Sequence, residues 1–246
     1  MKILALIPAR MGSSRFPGKP MALINGTPMI GHVYMNVCKN KKLDQVAVAT
    51  CDKVIFDYIN SIGGLAIMTS KKHDRATDRC AEALKKIEKI NKSNFDIIVM
   101  IQGDEPMVTS DMINRSLKPF KKNKQTGVVN LLGKFEDKKE FNNPNSIKVI
   151  CDKDDNAIYF TRNLPDKIFH SKNVNFGKQI CIIPFRRNIL IKYLKLKPTS
   201  LEIHESVDMW RFLENGFKVK MVKMKGYSFA VDSKEDLKKV SLLIKK

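Results

Sequence analysis

Five short apolar runs, at residues 3–7, 45–50, 66–68, 97–101 and 127–132, alternate with helix-like segments at 29–40, 54–62, 77–90 and 111–120. This alternation constrains the fold more than any other feature of the chain. A strand that is apolar at consecutive positions needs cover on both faces, and connecting helices supply that cover. The pattern predicts an α/β protein with a doubly wound, mostly parallel sheet. In such sheets ligands gather at the carboxyl ends of the strands, so the segments that follow the apolar runs are where chemistry is expected. From about residue 146 the pattern changes. Residues 146–151, 157–161, 179–185 and 217–224 read as strands, 187–196 and 201–215 as helices, and 166–175 as a polar loop. Residues 233–246 read as a terminal helix with Ser233 as its cap and Glu235 and Asp236 in its first turn. No linker or repeat interrupts the chain. The expectation is a single domain over residues 1–246 that carries a smaller, inserted, β-rich subdomain.

Composition excludes several classes. Hydrophobic residues make up 43% of 246 positions, in the globular range. No apolar run approaches the roughly 20 residues that span a bilayer. The opening apolar stretch is cut short by Pro8 and Arg10 and reads as a buried strand, not a secretory leader. A cytoplasmic protein without a membrane partner is expected. The five cysteines, Cys38, Cys51, Cys80, Cys151 and Cys181, form no CxxC pair and read as free thiols. The net charge of +20 favours anionic partners. Its lysines, however, are scattered over 39–42, 118–124, 192–197 and 218–225. Nucleic-acid binding proteins concentrate such charge in a stripe interleaved with aromatics, so nucleic acid is not the expected partner. A basic nucleic-acid-binding module and a non-catalytic nucleotide binder remain the rival classes.

The most informative stretch follows the first apolar run: Ile7-Pro8-Ala9-Arg10-Met11-Gly12-Ser13-Ser14-Arg15-Phe16-Pro17-Gly18-Lys19-Pro20. It is rich in small residues and carries Arg10, Arg15 and Lys19. Such a loop can wrap a triphosphate with backbone N–H groups and cations, although by composition it reads equally as a turn with solvated basic residues. Its glycine spacing matches neither a Walker A loop nor a dinucleotide fingerprint. Gln102-Gly103-Asp104-Glu105-Pro106 ends the run at 97–101, on the same rim. Asp104 suits magnesium, a hard cation that bridges phosphates; alternatively Asp104 and Glu105 cap the next segment. Asp232 reads as a second metal carboxylate or, more readily on local pattern, as part of the terminal helix cap. Thr77 or Asp78 suits the cap of the helix at 77–90, and Arg79 lies one turn in. No serine elbow, zinc motif or Cys/His pair points to covalent catalysis. Phosphate cations with strand-end carboxylates fit phosphoryl or nucleotidyl transfer.

These motifs resemble those of the 3-deoxy-manno-octulosonate (KDO) cytidylyltransferases, the CMP-KDO synthetases, nearly end to end. The opening loop resembles IPAR-x-x-S-x-R-x-PGKP, and residues 24–30 resemble the family's next turn. Gln102 to Pro106 matches QGDEP. Asn143-Pro144-Asn145 with Lys148 resembles NPN-x-x-K, and Tyr159-Phe160-Thr161-Arg162 resembles YFSR. Val231-Asp232 with Glu235-Asp236-Leu237 resembles VDTPEDL.

The resemblance implies a nucleotide-diphospho-sugar transferase-like fold and a homodimer. It implies CMP transfer from CTP to KDO or a related acidic sugar, with pyrophosphate leaving, for bacterial lipopolysaccharide or another surface polysaccharide. Pro8, Ala9, Arg10, Arg15, Lys19, Thr77, Arg79 and Gln102 would bind nucleotide, with Arg10, Arg15, Lys19 and Asp104 the catalytic set. Asp104 and Asp232 would hold Mg²⁺, and Arg162 the sugar carboxylate. Residues from about 146 to 225 would form the acceptor-binding and dimerisation portion. The sequence departs from the family at the sugar end. A strand that reads HLGIYGY in the family has Gln179 for its histidine and Ile183 for its tyrosine; a Glu-Gln pair has become Asp208-Met209. Arg75 and Ala76 replace Ser and Gly in the segment assigned to cytidine. Gln179, Ile183, Asp208 and Met209 are therefore expected to line an altered acceptor site. An acceptor such as 8-amino-KDO or another ulosonic acid is the alternative, with unmodified KDO a poor substrate.

Overall fold

The computed structural model of the protein describes residues 1–12 and 15–244; Ser13, Ser14, Lys245 and Lys246 lie outside the described residues. The chain divides into two compact units, Met1–Asn114 with Ser228–Lys246, and Arg115–Tyr227 between them in sequence.

The first unit is built on four parallel strands in the order Ala66–Met68, Gln45–Thr50, Ile3–Ala9, Ile97–Ile101. Every residue of Ile3–Ala9 and of Ile97–Ile101 is buried, which is why these runs show no polar alternation. The helices Met29–Cys38, Lys53–Ser61 and Ala76–Asn91 connect the strands. Ala76–Asn91 turns Cys80, Ala81, Ala83, Leu84 and Ile87 inward, and the small side chains let it lie close to the sheet. Each fully buried Leu or Ile contributes about 1.5–3 kcal/mol, so the sheet centre holds the strand-end loops in place. The last helix, Lys234–Leu243, starts at a capping box in which the Ser233 hydroxyl accepts from Asp236 N at 3.1 Å. Its Val240 joins Phe16, Ile24, Met29 and Val231 in a separate apolar cluster. Phe16 thereby moors the basic loop to the terminal helix.

The second unit is mixed. Strand Val128–Gly133 runs parallel to Val219–Lys223 and antiparallel to Phe176–Ile180 and Ile182–Arg186. Phe176–Ile180 continues through Lys148–Cys151 to Ala157–Thr161 in antiparallel register. The expected strand at 127–132 is thus present, and it belongs to this β-rich unit, Arg115–Tyr227. The expected strand at 179–185 is two strands broken at Cys181. The expected helix at 201–215 is likewise two, Ser200–Glu205 and Met209–Glu214, broken where Ser206 takes a left-handed φ of 53°. The polar loop at 166–175 contains one helical turn, Asp166–Phe169.

Candidate active site

Two strand-end loops of the first unit and the segment leading into its last helix meet around Lys19. Gly18 adopts φ 74°, a left-handed conformation that costs glycine little, and hands the chain into the short 3₁₀ turn Lys19–Met21. Lys19 is buried, at 8% exposure. Its Nζ donates to Asp104 Oδ2 at 2.7 Å, to the Val231 carbonyl at 2.8 Å and to Asp232 Oδ1 at 3.3 Å. Arg15 approaches the same Asp232 oxygen at 3.0 Å.

The turn after Ile97–Ile101 is pinned from two sides. A Cβ on Gly103 would stand 3.0 Å from the Pro8 carbonyl, so glycine permits this turn to lie against the first strand's end. The buried Glu105 carboxylate accepts from the Ser228 hydroxyl at 3.1 Å, and Val231 N donates to the Asp104 carbonyl at 2.9 Å. These bonds bring Asp232 beside Asp104. Because Ser233 is the helix cap, the Asp232 carboxylate is left to face the two cations. Glu105 likewise braces the returning chain.

The electrostatics follow from this crowding. Burial works against the Lys19 charge, yet the Asp104 and Asp232 carboxylates outweigh it and hold the Lys19 pKa above the ordinary lysine value. Burial raises the Asp232 pKa, the Asp104 charge raises it further, and Lys19 and Arg15 offset only part of that. Two carboxylates this close demand positive charge between them.

Of the other nucleotide candidates, Pro8 and Ala9 are buried at the end of the first strand, Arg10 is exposed beyond it, and Gln102 is half-buried at its own strand end. Ala76–Asn91 begins with Arg75 in the cap position and no side-chain cap, so neither Thr77 nor Asp78 caps it. Thr77 is fully buried, its hydroxyl 3.9 Å from Met100 Sδ. Arg79 is 2% exposed and donates to Thr69 Oγ1 at 2.6 Å and to the Ser70 and His73 carbonyls, each at 3.3 Å. In this conformation Arg79 shapes the loop ahead of the helix. Glu82, one turn on, does the same from Ser70 N and the His73 ring.

The candidates for the acceptor end lie in the second unit. The Arg162 guanidinium donates to the Glu205, Pro144 and Ser206 carbonyls at 2.8, 2.9 and 3.4 Å. Lys148 Nζ donates to the Asn143 and Arg162 carbonyls, both at 2.7 Å, and burial with the Arg162 charge pushes its pKa down to about 8. Gln179 is half-buried and donates its amide to Asn130 Oδ1 at 2.7 Å; Asp208 is half-buried. Ile183 and Met209 are packed in the interior at 2% and 0% exposure.

Two residues that the motifs did not single out help to build these sites. Asp52 Oδ2 accepts from Met11 N at 2.8 Å and anchors the start of the basic loop. Its place just past the run at 45–50, on the same rim, was the available signal. The Glu205 carboxylate accepts from the Thr161 hydroxyl at 3.0 Å and Arg162 N at 2.9 Å, a pairing 43 to 44 positions apart that leaves no local trace.

A cluster of carboxylates and basic loop residues beside a parallel sheet fits a nucleotidyltransferase, and comparison with known proteins narrows the class. Residues 4–224 match the family model described as cytidylyltransferase. The 3-deoxy-manno-octulosonate cytidylyltransferase of Fusobacterium nucleatum subsp. nucleatum is 41% identical, over 100% of this chain and 98% of that one. That of Thermodesulfovibrio yellowstonii is 40% identical over 96% of each. A solved CMP:2-keto-3-deoxy-manno-octonic acid synthetase complexed with CTP superposes with a TM-score of 0.86 at 31% identity, covering 99% and 98% of the two chains. The chain belongs to the 3-deoxy-manno-octulosonate cytidylyltransferase family.

Proposed function

We infer that the protein transfers CMP from CTP to the anomeric hydroxyl of KDO or a closely related acidic sugar, releasing pyrophosphate. The observation that carries this reading is the convergence of Arg15, Lys19, Asp104 and Asp232 in a chain similar to KDO cytidylyltransferases throughout its length. Arg10, Arg15 and Lys19 neutralise the triphosphate, and the loop's backbone donors orient it. Asp104 and Asp232 hold magnesium. Their donor set suits that ion, because two hard carboxylates converge on the same ammonium. Magnesium keeps several waters and takes substrate phosphates as ligands. When bound, it supplies charge neutralisation at the reacting phosphate. The loop shaped by Arg79 and Glu82 presents its backbone to the base. In the second unit, Arg162 and Lys148 provide positive charge for the sugar carboxylate, with Gln179 and Asp208 for its hydroxyls.

The protein works as a homodimer in the cytoplasm and serves lipopolysaccharide or surface-polysaccharide assembly. Among the described residues no helix is long and apolar enough to cross a membrane. Pyrophosphate release decides the chemistry, with CTP and UTP as donors and KDO, 8-amino-KDO and N-acetylneuraminic acid as acceptors. Saturable turnover of KDO with CTP is expected; equal turnover with UTP, or none with any acidic sugar, overturns the reading.

A further inference from the structure

The Lys19 ammonium has three N–H donors, and all three are engaged, by Asp104, Val231 and Asp232. It cannot donate to a phosphate without giving up one of these partners. Nor can a divalent cation take the same carboxylate oxygens while the ammonium lies between them, because like charges would share one set of acceptors. The charges of Lys19 and Arg15 also balance those of Asp104 and Asp232 one for one. So balanced, the cluster has little attraction for a free divalent ion.

We propose that Lys19 gates the metal site: its ammonium occupies the carboxylates until nucleotide phosphates draw it away, and the divalent cation binds Asp104 and Asp232 only then. Nucleotide and metal therefore bind cooperatively, each raising the affinity of the other. This rests on the assignment of triphosphate and magnesium to the cluster made above.

The surroundings suit a side chain that swings while its backbone stays. The Lys19 backbone is fixed by its N–H to the Phe16 carbonyl at 3.2 Å and by Gly18 N to the Met11 carbonyl at 3.1 Å, with Phe16 held in its apolar cluster. The carboxylates keep their relative position without Lys19, because the Val231 N to Asp104 carbonyl bond joins their backbones. A lysine stem is long and flexible, and its point charge needs no planar partner. Arg15, with a side chain 47% exposed and also paired with Asp232, turns to the triphosphate as Lys19 does, so that the two carboxylates face the metal uncompensated.

Mn²⁺ binding to the full chain, followed by paramagnetic resonance of the free ion without nucleotide, tests the gate. Lys19→Met should bind Mn²⁺ at least about 10-fold more tightly than the wild type, within the usual range of coupling between sites. Lys19→Arg, which keeps a cation, should match the wild type. A Lys19→Met protein that binds Mn²⁺ no better than the wild type overturns the gate. Should that variant not fold, the wild type decides through the ¹⁵N–¹H signal of the Lys19 ammonium, identified by its loss in Lys19→Arg. Mg²⁺ alone should leave the signal in place, and CTP with Mg²⁺ should shift it. A signal displaced by Mg²⁺ alone, or unmoved by CTP with Mg²⁺, also overturns the gate. Failure of the underlying assignment looks different: Asp104→Asn with CTP would then retain Mn²⁺ as tightly as the wild type with CTP.

Discussion

Arg211 and Glu202 form a two-point ion pair inside the second unit, Nε to Oε2 at 2.7 Å and Nη2 to Oε1 at 2.5 Å, with side chains 4% and 0% exposed. The guanidinium also lies 4.2 Å over the Tyr193 ring, and Glu202 closes the capping box of Ser200–Glu205. The pair joins two helices that the left-handed Ser206 separates. Glu202→Gln keeps the shape but strands a buried positive charge, which should cost about 3–5 kcal/mol. Replacing both partners, with Glu202→Leu and Arg211→Met, should recover most of that loss. Urea unfolding of the single and double variants measures it; a single variant within about 1 kcal/mol of the wild type would show that water or a neighbour relieves the charge.

Asp104→Ala should fold, since the carboxylate is partly exposed and makes no core contact that alanine forfeits. Its turnover should fall by about 10²–10³ or more, as when one electrostatic contact to a reacting phosphate is removed. Circular dichroism together with pyrophosphate release checks both halves. Near-normal kcat in a folded variant would remove Asp104 from the chemistry.

Asp52 tests how far the basic loop depends on its anchor. Asp52→Ala removes the acceptor for Met11 N, while Asp52→Asn keeps a carbonyl oxygen in the same place. The alanine variant should raise KM for CTP about 10-fold, the worth of one charge-assisted hydrogen bond, and leave KM for the sugar unchanged. The asparagine variant should restore most of the loss. Equal changes in both KM values would point to general loosening instead.

Lys148 gives the second unit a pH signature. Its folded pKa is lowered to about 8 by burial and Arg162, against an ordinary 10.5. Between those two values the unfolded chain carries a proton that the folded chain has released, so stability rises with pH. Below about 8 both states are charged and the slope vanishes. Urea midpoints from pH 7 to 10 should climb in the wild type relative to Lys148→Met. Parallel profiles for the two proteins would contradict the assignment.

The legible and illegible parts of the fold separate along physical lines. The runs at 45–50, 66–68 and 97–101 coincide with observed strands, because a strand covered on both faces is apolar throughout. Val128–Gly133 is just as apolar, yet its partners run in both directions; hydrophobicity reports burial, not the direction of the partner. The breaks at Cys181 and Ser206 fall where no glycine or proline announces them.

The same division runs through the site. Lys19 and Asp104 stand in loops after buried strands, and the family motifs mark them together with Asp232, which local pattern alone favours as part of the helix cap. Their arrangement was not readable. Lys19 meets Asp104 across 85 positions and Asp232 across 213. Nothing local in the chain says that one ammonium satisfies both, that Arg79 turns its charge on its own loop, or that Ile183 and Met209 lie in the interior. Local pattern records which face of an element is buried. Which side chains then share a space depends on how distant elements pack, and that is fixed by the strands and their covering helices acting together.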